Sequence, residues 1–228
     1  MINRDYILRL IEQFSRVLAR VLLLRQDYQY EEALILIDEL FRQTLGLSSE
    51  FLLAAPEEML LALVKRIDLL DVGKCLWIAL LFKLEGDVYQ DLERYEESFP
   101  RYLRSLRLFL EAVLLEENPR QSDFFAEIEE LLTLLSRHEL PASLLTRIML
   151  YYERTGRYAQ AEDALFEALE APDSSDEVFG QGLAFYARLQ GKSNAELRAG
   201  NFSPEEIKEG LADLQRLQEV RRSPPSAE

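Results

Sequence analysis

His138 and Cys75 are the only histidine and the only cysteine in the chain, and they bound the chemistry it can carry. One imidazole cannot make a two-His metal site or the paired Glu-x-x-His ligands of a di-iron bundle. His138 reads as a helix-end residue favoured by the dipole rather than as the base of a Ser-His-Asp relay. Cys75 precedes the apolar run Trp77 to Leu81 with no second Cys or His beside it, the setting of a packed thiol rather than a nucleophile. Glu127, Glu129 and Glu130 are expected on the solvent side of their helix. Gly180, Gly182, Gly191 and Gly200 match neither nucleotide-binding glycine spacing. The sequence therefore assigns no catalytic residue, no cofactor and no metal ligand, and it reads as a protein that is not an enzyme.

The elements that would position any site are helical. Hydrophobic residues make up 48% of the 228, and Leu, Glu, Arg and Ala dominate over the 9 Gly and 8 Pro, so the expectation is an all-α fold with a sizeable core. The 26 Lys and Arg against 41 Asp and Glu leave a net charge of −15, which repels a phosphate backbone and makes nucleic acid an unsuitable partner. The opening residues lack the order of a signal peptide, and one cysteine forms no internal disulfide, so a cytoplasmic location is expected. Val17 to Leu24 is interrupted by Arg20 and is far shorter than the roughly 20 apolar residues of a membrane span.

Apolar spacing and punctuation predict ten to eleven helices in a single domain over residues 1–221, with 222–228 a disordered tail. Asn3 is placed to cap the first helix, and Gly46 to stop a second that starts at Tyr30. Ser48, Ser49 and Pro56 mark an irregular passage, after which a helix runs to about Asp68 and Asp71 caps the next. The following helix begins at Tyr95 with Pro100 inside it, or nearer Ser98 with Pro100 in its first turn; both starts fit. Further helices open at Ser122 or Asp123, at Pro141, at Tyr158 and at Ser174 with Ser175, then at a capping box of Ser193 and Glu196, and last at Ser203.

Three segments align: Gln29 to Ala33, Arg94 to Ser98 and Arg157 to Ala161. Each is a turn, a Tyr, and a small residue three positions on. The Tyr is expected to pack across the turn, and the small residue to admit the preceding helix closely. With Gly86, Tyr89, Tyr102 and Ser105 around the middle copy, and Tyr152, Gly156, Ala168 and Pro172 around the third, the pattern resembles the tetratricopeptide repeat. The resemblance implies antiparallel helix hairpins in a right-handed array. Departures are Val21 and Met149 at the first-helix Gly position and Leu40 at a small one. The small residues stand 65 and 63 apart, against about 34 in the regular repeat, so a plain helix falls in each interval. The first 22 residues and the segment Ser193 to Leu211 also resemble an uncharacterised bacterial family of such helical proteins.

By this resemblance, the peptide-binding face of the first helices would present Lys83, Asp87, Gln90 and Asp91 from one copy and Thr146, Leu150, Glu153 and Arg154 from the next. Only Lys83 fits the family's carboxylate clamp. The first helix carries two apolar lines, Tyr6-Leu10-Phe14-Val17-Val21 and Ile7-Ile11-Leu18-Leu22, where a terminal helix needs one. The second line calls for a neighbour, either the C-terminal region or the same helix in a homodimer. The expected function is a protein-interaction scaffold binding a protein or peptide; the alternative is a structural homo-oligomer assembled through the first helix.

Overall fold

A computed structural model of the chain describes residues 4–66 and 69–222, with the side chains of 15–65, 69 to 221 among them. The described residues form twelve α-helices, a short 3-10 turn and one two-stranded ribbon, so the chain is all-α in architecture as its composition implies. They divide into two compact units, Met1–Glu117 with Gln121–Arg137, and Asn118–Arg120 with His138–Glu228. The Asn3 cap and the tail from residue 223 lie outside the described residues.

The first unit contains α1 (Arg4–Gln26), α2 (Tyr30–Leu45), α3 (Ser49–Ala54), α4 (Glu57–Leu63), α5 (Val72–Asp91), α6 (Tyr95–Val113) and α7 (Phe125–Leu135). Its centre is α5, which is buried without a break from Cys75 to Gly86. Apolar residues surround that helix on every side, so it must be enclosed rather than laid on a surface, and α1, α2 and α6 all pack against it. Asp71 caps it as expected, its carboxylate accepting the Lys74 N–H at 3.1 Å.

Two local expectations fail. The passage around Ser48 and Ser49 is the helix α3, with the Ser48 hydroxyl accepting the Phe51 N–H at 3.3 Å. The helix expected to reach Asp68 ends at Leu63. Val64 closes it, and the next residues turn into a ribbon of β1 (Lys65–Arg66) against β2 (Leu69–Leu70), in which Lys65 pairs with Leu70. Between the two starts open for the next helix, the chain takes Tyr95: α6 runs through Pro100, forgoing the one N–H that ring lacks. Glu96 and Glu97 in its first turn favour that start through the dipole.

The close approach of α5 and α6 rests on small residues. Ser98 and Ser105 are buried, and the Ser105 hydroxyl donates to the Ala79 carbonyl at 2.8 Å. Gly86 faces the Tyr102 ring so tightly that a Cβ there would stand 2.6 Å from Cε1. The turn tyrosines do not share one fate: Tyr158 is buried, while Tyr95 is 57% exposed and does not pack across its turn. What the three copies share is backbone. Tyr28, Glu93 and Gly156 all adopt positive φ, and the next N–H reaches back to Leu24, Tyr89 and Tyr152 carbonyls at 2.8–2.9 Å. This is the Schellman closure of a helix, in which the left-handed residue lets the chain reverse while the last carbonyls stay bonded.

The second unit contains α8 (Ala142–Arg154), α9 (Tyr158–Glu170), α10 (Asp176–Gln190), α11 (Asn194–Ala199) and α12 (Pro204–Arg222). Its core holds Tyr151, Phe185 and Tyr186, and the Tyr186 hydroxyl donates to Glu162 at 2.5 Å. Ser193 and Glu196 form the expected capping box of α11. A fourth closure of the same kind, unmarked by any Tyr, follows it: Asn201 has positive φ and the Phe202 N–H bonds to Leu197 at 2.9 Å.

These contacts set two stability outcomes. Gly86→Ala forces a Cβ into the fixed Tyr102 ring and is expected to cost about 1–3 kcal/mol in urea unfolding. Gly180→Ala, with open space around its Cβ, should instead gain about 0.5–1 kcal/mol from helix propensity. At the αL turn, Glu93→Gly relieves a non-glycine residue of positive φ, and the same assay should show a gain of roughly 1 kcal/mol.

Candidate functional site

Lys83 and Asp87 stand one turn apart on α5, and that spacing puts both on the face that α1 and α7 flank. Between these elements lies a cavity of about 390 Å3 lined by Leu18, Leu22 and Arg25 of α1, Leu80, Lys83, Leu84, Asp87 and Gln90 of α5, Tyr102 of α6, and Glu127, Glu130 and Leu134 of α7. Its size is that of a small-molecule or side-chain pocket.

Asp87 is the hub of the polar wall. Its Oδ2 accepts Lys83 Nζ at 3.2 Å and Arg25 Nη1 at 3.4 Å, and its Oδ1 accepts the Tyr102 hydroxyl at 3.0 Å. Arg25 also holds Asp91 through Nε at 2.6 Å and Nη2 at 3.1 Å, a bidentate pair that ties the last turn of α1 to the last turn of α5. Lys83 reaches in the other direction to Glu130 at 3.0 Å. Burial pushes the Asp87 carboxyl above the usual range, and the Lys83 and Arg25 charges pull it only partly back. Burial disfavours the Lys83 ammonium, but Asp87 and Glu130 outweigh it, so that group lies above the ordinary lysine value. Burial and the Asp87 charge likewise drive the Tyr102 phenol far up, so it remains a donor.

The residues expected to bind a partner are placed unequally. Lys83, Asp87 and Gln90 line the cavity, with Asp91 paired to Arg25 at its margin. Thr146, Leu150, Glu153 and Arg154 lie on α8 in the second unit. There Thr146 donates to the Ala142 carbonyl at 2.7 Å, Leu150 is half-buried, Arg154 is exposed, and Glu153 is engaged bidentately by Arg188 at 2.6 and 2.7 Å. Of the residues expected at an oligomer interface, the side chains of Tyr6, Leu10 and Phe14 lie outside those described. Val17 is half-buried, and Val21 is fully buried in the chain's own core, packed where α1 meets its neighbours.

Glu127 and Glu130 both line the cavity, Glu130 with its side chain still exposed to solvent as expected and Glu127 half-buried, because α7 packs against α6 beside the polar face of α5. Arg25 and Tyr102 were absent from the sequence-derived site. An arginine in the last turn of a helix is ordinarily read as a partner of the dipole, and only the fold brings it 62 residues along to Asp87. Cys75 is fully buried, its thiol donating to the Leu108 carbonyl at 3.3 Å and pushed up by burial. Among the described residues, no three His, Cys, Asp or Glu side chains are grouped to hold a metal ion.

A carboxyl raised in the fold binds its proton more tightly than in the unfolded chain, so stability falls as pH climbs from the ordinary aspartate value through the folded one. Asp87→Asn removes that slope. The difference in melting temperature between wild type and variant is therefore expected to change as pH rises above the ordinary aspartate value of about 4, the wild type losing more; Glu162 and Glu167, also raised, contribute equally to both proteins.

No helix among the described residues is long and apolar enough to cross a membrane. No curated protein and no solved structure matches the chain. A model of the family of unknown function DUF6483 matches residues 1–219, which spans the cavity and every helix of the described residues except the last three residues of α12, and the chain belongs to that family.

Proposed function

We propose that the chain is a non-enzymatic interaction scaffold of the bacterial cytoplasm, built from tetratricopeptide-like hairpins, that docks a protein or peptide in the cavity of its first unit. One observation carries this reading. Lys83, Asp87 and Gln90, chosen by their place on the binding face of the repeat it resembles, line a cavity that also has an apolar wall. A polar group set against apolar surface is the composition of an orienting contact beside a burying one. Leu22 and Leu134 keep 38% and 37% of their surface exposed at this wall, enough to contribute area to a partner.

A structural homo-oligomer is the second reading. It is favoured by Leu23 and Ile35, exposed at 60% and 61% on the α1 and α2 hairpin. Light scattering on the intact chain separates the two: a monomer excludes assembly as the function.

The docking reading is tested by cross-linked pull-down from the native cell extract with wild type and a Leu22→Ser/Leu134→Ser variant. Both residues are partly exposed, so the variant should keep its helical circular dichroism. Losing two leucine contacts should reduce recovery of the partner by about tenfold or more. Unchanged recovery from a folded variant would place binding elsewhere.

A further inference from the structure

The charges at the cavity do not balance. Arg25 and Lys83 face four carboxylates, Asp87, Asp91, Glu127 and Glu130, and the two cations are already shared among Asp87, Asp91 and Glu130. Glu127 is left over. Its half-buried side chain lines the cavity, and its Oε2 has no hydrogen-bond partner, so no cation among the described residues neutralises it. Glu130, with 55% of its side chain exposed, holds only the Lys83 ammonium and retains lone pairs for a further donor. These two carboxylates are three residues apart on α7, hence on one face. Leu18, Leu22 and Leu134 stand around them as apolar wall.

We infer that the cavity receives a lysine or arginine side chain of a partner protein, its methylene stem against Leu18, Leu22 and Leu134 and its cationic head between Glu127 and Glu130. Such a side chain has the required form, an apolar stem ending in several donors and no acceptor. The head would pair with the Glu127 and Glu130 carboxylates where they line the cavity and would offset the excess negative charge. An acidic side chain meets repulsion from four carboxylates, and a purely apolar one leaves their excess charge uncompensated. The net charge of −15 on the chain draws a basic partner toward this face from a distance. The inference rests on the reading of the cavity as a docking site and adds the chemistry of the occupant.

The test is calorimetric titration of the full chain with a synthetic helical peptide bearing a leucine-lysine face, and with the same peptide in which every Lys is Glu. The lysine peptide should bind, the glutamate peptide should not, and added salt should weaken binding. Glu127→Gln/Glu130→Gln should lower affinity about tenfold. Glu205→Gln/Glu209→Gln, the same charge change at exposed positions of α12, should leave it within about twofold. Equal loss in both double variants, or no loss in the first, overturns the inference, as does absence of lysine-peptide binding. If Leu22→Ser/Leu134→Ser still lowers recovery of the cellular partner in the pull-down in that event, docking stands and only the basic occupant falls; if it does not, both fall. Spermidine that binds through Glu127 and Glu130 where the peptide fails would make the occupant a small cation and overturn the assignment to a protein.

Discussion

Enclosing α5 forces the chain to bury two opposite charges on a single helix. Lys83 and Glu85 lie within its unbroken buried run, at 7% and 4% exposure, and their positions two residues apart point them to opposite sides. Each must find a counter-charge, because an unpaired buried ion is among the costliest features a fold can hold. On one side Glu85 meets Arg101 at 3.0 Å and the Ser49 hydroxyl at 2.5 Å, and Arg101 in turn stacks 4.1 Å over Tyr89. That network fixes where α3 and α6 sit. On the other side Lys83 gathers Asp87 and Glu130, and with Arg25 it fixes α1 and α7.

The two sides differ in charge balance. Around Glu85 the partners are neutral in sum and closed from solvent, which suits a purely architectural role. Around Lys83 the carboxylates outnumber the cations, and a cavity remains. The helix that holds the unit together thus also separates a charge-balanced cluster from one with an excess of carboxylates. Geometry of this kind lets a binding surface be rigid, since the residues that would meet a partner are positioned by the same packing that keeps the unit folded.

Much of this was legible in the residues and some was not. Caps announced themselves: Gly46, Asp71 and the Ser193 and Glu196 pair each act where a local rule placed them. The small residues Ala33, Ser98 and Ala161 are all buried as the repeat pattern requires. The ribbon between Lys65 and Leu70 left no trace, because two-residue strands have no period to read. An acidic residue on an amphipathic helix normally meets water, and Glu130 does; that it also pairs with Lys83, and that Glu127 is drawn in to half-burial beside it, is written in the fold and not in the local pattern. Arg25 shows the same limit. Its two aspartate partners are distant in sequence, and no local pattern encodes a contact made by the fold.

The four helix closures at Tyr28, Glu93, Gly156 and Asn201 employ four different residue types in one hydrogen-bonding arrangement. Since the bonds run between backbone groups, mutation can rewrite the turn without unmaking it, at a penalty small beside that of disturbing the core. Divergence will therefore erase the written repeat long before it erases the physical one. Kinship among such chains survives longest in the order of their main-chain bonds, and a hairpin like the one ending at Asn201 becomes silent in the letters while persisting in the fold.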